Sequence, residues 1–289
     1  MWQLLGKPYS LERFLKLPML SQAFFEHQLK ISSRLSAIRK AKNGTCVISI
    51  KRMDSVNVFL NHSFEMIDSE SPDQVMDLDF KNLVAVVHDY RTTHFHMRFH
   101  VAGMYDFKVF GGTIKTDSEF LCSFKIDCDK PKIRFEPLPF VPEIGFGPCH
   151  VTERVGMKLV SAVTGIVTIR GPDTVDIDFK LKKDIKVIAE MLHHTFSSQD
   201  LEVYILLKQH NDDLFITVGV PRNGEYILRL LAKHQRSKKD FINVCNFLLM
   251  SEDPKKPRKS FEVSFTGWLL GTTFLQGFRW LCGGVQILN

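Results

Sequence analysis

Residues 103–131, GMYDFKVFGGTIKTDSEFLCSFKIDCDKP, return in altered form at residues 224–257, GEYILRLLAKHQRSKKDFINVCNFLLMSEDPKKP, and this pair of stretches decides the fold. Both run Gly-x-Tyr, an alternating apolar segment, a polar loop, a Phe/Cys/Phe segment and a Pro-bearing exit. Gly103 lies over Gly224, Tyr105 over Tyr226, Cys122 over Cys245 and Phe124 over Phe247. Self-similarity at a long period means one structural unit used twice, so it takes precedence over any short motif. The upstream halves correspond more loosely. AFFEHQLKISSRLSAIRKAKNGTCVISI (residues 23–50) parallels RVGMKLVSAVTGIVTIRGPDTVDIDF (residues 154–179), with Leu29 over Leu159.

Each unit is therefore about a hundred residues long, the size of an immunoglobulin-like sandwich. The expected organisation is an N-terminal segment at 1–17, a first repeat at 18–130, a Pro-rich linker at 131–147, a second repeat at 148–253, and a basic linker with an apolar tail at 254–289. In the linker, Pro131, Pro137, Pro139 and Pro142, with Pro148 just beyond, remove backbone donors and fix φ, which predicts an extended connection rather than a ladder strand.

Alternation within the units predicts strands. In HFHMRFH, Phe95, Met97 and Phe99 point one way, and His94, His96, Arg98 and His100 the other. CVISI, NVFLNHSFEMI, LVAVVHDY, YDFKVF and FLCSFKI read similarly in the first unit, and VDIDF, VIAEML, EVYILL, LFITVGV, YILRLLA and NVCNFLL in the second. Asn43-Gly44 and Pro221-Arg222-Asn223-Gly224 supply residues that tolerate positive φ, as tight hairpins require. Short strands at regular spacing predict an all-β, antiparallel architecture of two tandem sandwiches. Around Leu11–Leu29 and Val151–Val163 the apolar spacing fits a short helix and a strand equally.

The composition is globular: 289 residues, 44% hydrophobic and 24% charged, with a net charge of +6. The acids are interspersed with the bases, so the charge predicts no nucleic-acid partner. The N-terminus MWQLLGKPYSLERF lacks a basic region leading into an apolar run, so no secretory signal is expected, and the six cysteines read as reduced core thiols. Cys46, Cys122, Cys128, Cys149, Cys245 and Cys282 show no CxxC or Cys/His zinc spacing.

No catalytic residue and no cofactor are expected. Cys122 and Cys245 lie mid-strand beside Phe, a setting for a protonated, inert thiol, and no nucleophile with an activating neighbour is evident. No Gly-rich phosphate loop, HExxH or GxSxG occurs. His94 and His96, two apart on one strand face, are the weak candidate metal ligands. A zinc site needs a third ligand, which His88 or His100 would have to supply. The repeat places His96 over Ile216, outside the shared scaffold, and a solvent-facing His/Arg stripe is the preferred reading. His193 and His194 are adjacent, so on a strand their rings face opposite sides.

The basic runs RLSAIRKAK, KLKKDIK and PKKPRK read as solvated faces. The tail FEVSFTGWLLGTTFLQGFRWLCGGVQILN is mostly apolar, yet Arg279 and its glycines make it a poor spanning helix. Packing on the second unit, or the start of a third, is preferred over a membrane anchor.

The repeat residues also resemble a known family. Gly224-Glu225-Tyr226-Ile227-Leu228, Ala232 and Val244-Cys245-Asn246-Phe247-Leu248 look like the C-terminal region of the kyphoscoliosis peptidase and hillarin proteins. PLPFVPEIGFGP (residues 137–148) is similar to that family's joint between repeats. Trp2-Gln3-Leu4-Leu5, Leu11, Phe14 and Phe24-Phe25 resemble the stretch after its catalytic domain. The resemblance runs to about Pro254 and implies immunoglobulin-like repeats. It also implies cytoskeletal or scaffold partners, and a cytoplasmic, cytoskeleton-associated location. The family's transglutaminase-like domain, with its Cys-His-Asp triad, has no matching positions here, so no triad residue carries over. The expected role is a non-catalytic binding module; the alternative is the non-catalytic part of a cysteine peptidase or transglutaminase-like enzyme.

Overall fold

The computed structural model describes residues 10–252, apart from 12–16, 33–37, 54–57, 70–82, 90, 114–116, 133–137, 171–172, 183 and 238. Two sets of strands follow one another, each folded into two sheets. The first unit comprises β1 (Met19–Leu20), α1 (Gln22–Glu26), β2 (Leu29–Ile31), β3 (Ile38–Lys40), β4 (Thr45–Arg52), β5 (Val58–Ser69), β6 (Val84–Asp89), β7 (Thr92–Arg98), β8 (Gly103–Thr113) and β9 (Glu119–Cys128). The second comprises α2 (His150–Val155), β10 (Met157–Leu159), β11 (Ile166–Arg170), β12 (Val175–Leu181), β13 (Ile185–Leu192), α3 (Ser198–Glu202), β14 (Ile205–His210), β15 (Asp213–Val218), β16 (Gly224–His234) and β17 (Ile242–Glu252).

The two units share one topology. One sheet is ordered β2-β4-β7-β6 in the first unit and β10-β12-β15-β14 in the second. The facing sheet is ordered β1-β9-β8-β5, with β3 parallel to β9, and in the second unit β11-β17-β16-β13, with β11 parallel to β17; among the described residues β1 has no counterpart there. These are the two facing sheets of an immunoglobulin-like sandwich, joined by antiparallel ladders except at those two parallel pairs. A β-bulge falls after Val109 in the first unit and after Leu230 in the second, four residues past the repeated tyrosine in each case.

That tyrosine has a mechanical role. Tyr105 Oη donates to Val101 O at 2.6 Å and Tyr226 Oη to Arg222 O at 3.1 Å, four residues upstream in each unit. This is the tyrosine corner of immunoglobulin-like domains, which pins the crossing between sheets. Pro221–Gly224 is therefore an inter-sheet corner between β15 and β16, not the hairpin expected from its turn residues. Asn43-Gly44 does form a tight turn, with φ of 52° and 69° and with Lys42 and Thr45 bonded to each other. Two residues beyond each tyrosine, where antibody domains carry a disulfide cysteine, stand the buried Phe107 and Leu228. All five described cysteines are free thiols.

Each sandwich closes on its own core: Ile48, Ile50, Phe95, Met97, Tyr105, Phe107 and Phe124 in the first, and Ile177, Phe179, Leu214, Ile216, Tyr226, Leu228 and Phe247 in the second. The undecided segments are a short helix followed by a short strand in both units. Ser21 caps α1 by accepting from Phe24 N, and it donates to Phe120 O at 2.7 Å. In EVYILL the strand begins only at Ile205, because a Ser197/Asp200 capping box holds the preceding residues in α3.

Register moves two of the expected equivalences. Ile48 pairs with Phe95 and Ile177 with Ile216, so Phe95, not His96, matches Ile216, and His96 matches Thr217. Ile31 opposite Ile50 matches Leu159 opposite Phe179, two positions from the expected Leu29.

Candidate protein-interaction interface

A third apolar cluster belongs to neither sandwich. Ala85 and Val87 of β6, Leu138 and Phe146 of the connection, Ile227 of β16 and Leu248 of β17 pack together, flanked by Val141, Ile166, Leu192 and Met250. Strand alternation creates it. On β6, Val84 and Val86 face the first core, which turns Ala85 and Val87 outward, and there they are 1% and 3% exposed.

The connection is stitched into this cluster, and at one residue it makes the ladder pairing that an extended linker is not expected to make. Phe146 N donates to Val86 O at 2.7 Å, and His88 N donates to Phe146 O at 2.7 Å, an isolated parallel bridge on the edge of β6. Gly147 N donates to Asn246 O at 2.7 Å, and Asn246 Nδ2 donates to Gly145 O at 3.0 Å. Asn246, fully buried, therefore binds the connection by both its main chain and its side chain. Gly145 has φ of +71°, and a β-carbon there would meet His88 Nε2 and Val86 O at 2.8 Å, so only glycine lets the connection lie this close.

Charge closes the far side. Arg98 donates through Nη1 and Nη2 to Glu225 Oε2 and Oε1 at 2.7 and 2.8 Å, with 9% and 18% of the two side chains exposed. This bidentate pair fixes orientation as well as distance. Sequence alternation correctly turned Arg98 away from its own core, but toward the second unit rather than solvent. His88 Nε2 donates to Ile144 O at 3.0 Å, and burial pushes the ring's pKa down to about 4. A neutral ring must donate there, since a carbonyl only accepts.

His94 and His96 project from the outer face of β7, with ring centroids 6.2 Å apart. His94 Nδ1 is 2.8 Å from Ser49 Oγ, and His96 is driven down to about 4 chiefly by burial. Among the described residues no three His, Cys, Asp or Glu side chains are grouped to hold a metal ion. His193 stacks on Tyr226 at 4.4 Å, and its ring stands 6.2 Å from that of His194.

Burial raises the thiol of Cys122 to about 12 and that of Cys46 to about 11, and pushes Cys245 well above its ordinary value. Cys149 differs. It is half-buried and lines a cleft of about 260 Å³ at the joint, with Arg52, His88, Thr93, Glu143 and His150. Sequence reading passed over it. No imidazole–thiol hydrogen bond joins this group among the described residues, so it lacks the nucleophile–base contact of a catalytic pair.

The free strand edges offer recognition surface. β5, twelve residues long, pairs only with β8 among the described residues. Leu60, His62, Phe64 and Met66 face inward, and Asn61, Glu65 and Ile67 are exposed. The edge strands of the second unit, β10, β11, β13 and β14, are all shorter than β5. β6, by contrast, is occupied by Phe146. The apolar tail at 254–289 lies outside the described residues, as do Trp2-Gln3-Leu4-Leu5 and Cys282. Among the described residues no helix is long and apolar enough to cross a membrane.

Residues 11–139 and 154–262 match the family model for the KY-like, immunoglobulin-like domain. The chain is 23% identical over 269 residues to the "Lim and transglutaminase domain protein ltd-1" of Caenorhabditis elegans, covering 87% of this chain and 37% of that protein. It is 20% identical over 248 residues to Hillarin of Drosophila melanogaster, covering 80% of this chain and 30% of that protein. The chain thus spans about a third of the length of these curated relatives. A solved titin substructure covers 78% of the chain at 11% identity, with a TM-score of 0.23.

Proposed function

Because the chain belongs to the KY-like, immunoglobulin-like domain family, we propose that it is a non-catalytic module of two fixed sandwiches that binds a cytoskeletal or scaffold protein through the free edge of β5. The observation that carries this reading is that edge: a long strand paired, among the described residues, on one side only, the other presenting a row of main-chain donors and acceptors. A partner segment in extended conformation adds to such an edge by main-chain hydrogen bonds, with alternate side chains reading the neighbouring face. The joint supports the reading as well, because a fixed angle between units presents one continuous surface. The exposed positions Asn61, Glu65 and Ile67 lie where an added strand would meet them.

The test is a pull-down from native tissue with the parent chain and with an Asn61→Lys/Ile67→Lys variant. Loss of a specific cytoskeletal partner, with the circular dichroism unchanged, is expected. Equal capture by both proteins would overturn the edge mechanism.

The transglutaminase domain for which the Caenorhabditis elegans relative is named favours a second reading, in which this region is the binding part of a longer transglutaminase-domain protein. Sizing the native protein decides it: a much larger product carrying a Cys-His-Asp domain supports the second reading, and a product of this length supports a stand-alone module.

A further inference from the structure

The two units can be laid over each other residue by residue, and the overlay identifies a second docking surface. Gly103 pairs with Cys128 and Gly224 with Ser251, so these two strand ends are equivalent. In the first unit the chain after Cys128 comes back to the β6 edge of its own β2-β4-β7-β6 sheet, where Leu138 and Phe146, ten and eighteen residues on, are buried with Ala85 and Val87 in the cluster that Ile227 and Leu248 of the second unit complete. Ten and eighteen residues after Ser251 stand Phe261 and Leu269, both apolar.

The surface to receive them is present. Ala85 and Val87, opposite His96 and His94, correspond to Leu206 and Lys208, opposite Thr217 and Phe215. Leu206, Lys208, Phe215 and Thr217, with Asp176 and Asp178, line a shallow depression of about 300 Å³ on the outer face of the second unit. Phe215 is 45% exposed there, a large ring beside Leu206 on a face whose other residues are polar. The family match itself extends through this exit segment in both units, ending at 139 in the first and 262 in the second, each eleven residues past the equivalent strand end. Charge agrees: Lys255, Lys256, Arg258 and Lys259 precede Phe261, and the depression carries the Asp176 and Asp178 carboxylates.

We propose that the outer face of the β10-β12-β15-β14 sheet is the docking surface for this chain's own segment 253–270, with Phe261 and Leu269 covering Leu206 and the neighbouring Phe215, on the face where Leu138 and Phe146 cover Ala85 and Val87, the counterparts of Leu206 and Lys208. The proposal is independent of partner binding at β5.

Amide hydrogen exchange on the full chain, followed by peptide mass, tests it. Peptides spanning 261–270 are expected to exchange roughly tenfold or more slowly than the free-peptide rate. A Leu206→Asp/Phe215→Asp variant and a Phe261→Asp/Leu269→Asp variant should each abolish that protection while leaving β16 and β17 protected. Free-peptide exchange in the parent would overturn the proposal, as would protection indifferent to both variants. Protection that grows with protein concentration would also overturn it, since the occupant would then be a second copy.

Discussion

Replacing Phe146 by alanine tests whether the two sandwiches act as one body. The ring is fully buried, yet it lies in the cluster between the units rather than in either core. Its two main-chain bonds to β6 do not involve the side chain and survive the change. A buried phenylalanine removes roughly 150–250 Å² from water. Truncation to alanine gives up somewhat over half of that, about 3 kcal/mol at about 25 cal/mol per Å². A residual cavity raises the cost toward the roughly 3–5 kcal/mol typical of Phe→Ala. Because the loss falls on coupling, it must appear in the less stable unit, whose melting transition should drop by on the order of ten degrees. The other unit, judged by exchange at its central strands, should hold its own. Calorimetry with hydrogen exchange reads both quantities. Phe140→Ala, at a site 40% exposed, is the control and should cost less than about 1 kcal/mol. A Phe146→Ala change below about 1 kcal/mol, or an equal loss in both units, would refute a joint built on this ring.

Four other outcomes follow from the same geometry. Arg98→Ala leaves the Glu225 carboxylate in a mostly desolvated joint and should cost more than the double change Arg98→Met/Glu225→Leu, measured by denaturant unfolding, because an unpaired charge is worse than none. Tyr105→Phe should destabilise the first unit by about 1–2 kcal/mol and Tyr226→Phe the second by less, since the first bond is shorter and fully buried. His62, His88 and His96 are each held down to about 4 by burial, against 6.5 for a free imidazole. Between these values the unfolded chain binds more protons than the folded one, so stability should fall as pH is lowered from about 6.5 to 4 and be fully retained above, with a smaller slope in His88→Gln. Iodoacetamide on the folded protein should label Cys149 well before Cys122 and Cys245, by peptide mapping; labelling of Cys122 at a comparable rate would contradict its burial.

Much of the fold is legible because strand alternation is a local signal. HFHMRFH sorted Phe95 and Met97 inward and Arg98 outward by periodicity alone, and the repeated Gly-x-Tyr marked the same strand in both units. The errors share a cause. Pro221–Gly224 has the residues of a hairpin, but whether a turn joins neighbours in one sheet or crosses between sheets depends on Tyr226 reaching back to Arg222, a contact that composition does not encode. Aligning His96 with Ile216 failed by one residue, which in a strand reverses the face. The joint was the least legible part. Arg98 and Glu225 are 127 positions apart, and nothing local distinguishes Arg98 from a solvated arginine. The one available signal was Phe146 between two glycines in an otherwise Pro-rich connection.

The overlay of the two units also explains why their order is fixed. The row that receives the first unit runs Leu192, Ile227, Leu248 and Ile166 across adjacent strands of the second. Register makes the matching row of the first unit Glu65, Asp106, Lys125 and Ile38. Three apolar positions have become charged, and Lys108, which neighbours the row, holds Glu65 at 2.8 Å and Asp106 at 3.0 Å. An apolar strand face such as that of Ala85 and Val87 placed on this row would strip water from those carboxylates without pairing them, which costs more than the contact returns. The same scaffold thus carries an acceptor face in one copy and a refusing face in the other. A head-to-tail contact that could repeat would build open filaments. Charging the first row confines the joint to a single use, and it leaves β5, at the end of that charged row, open to a partner whose recognition rests on main-chain pairing rather than on an apolar face.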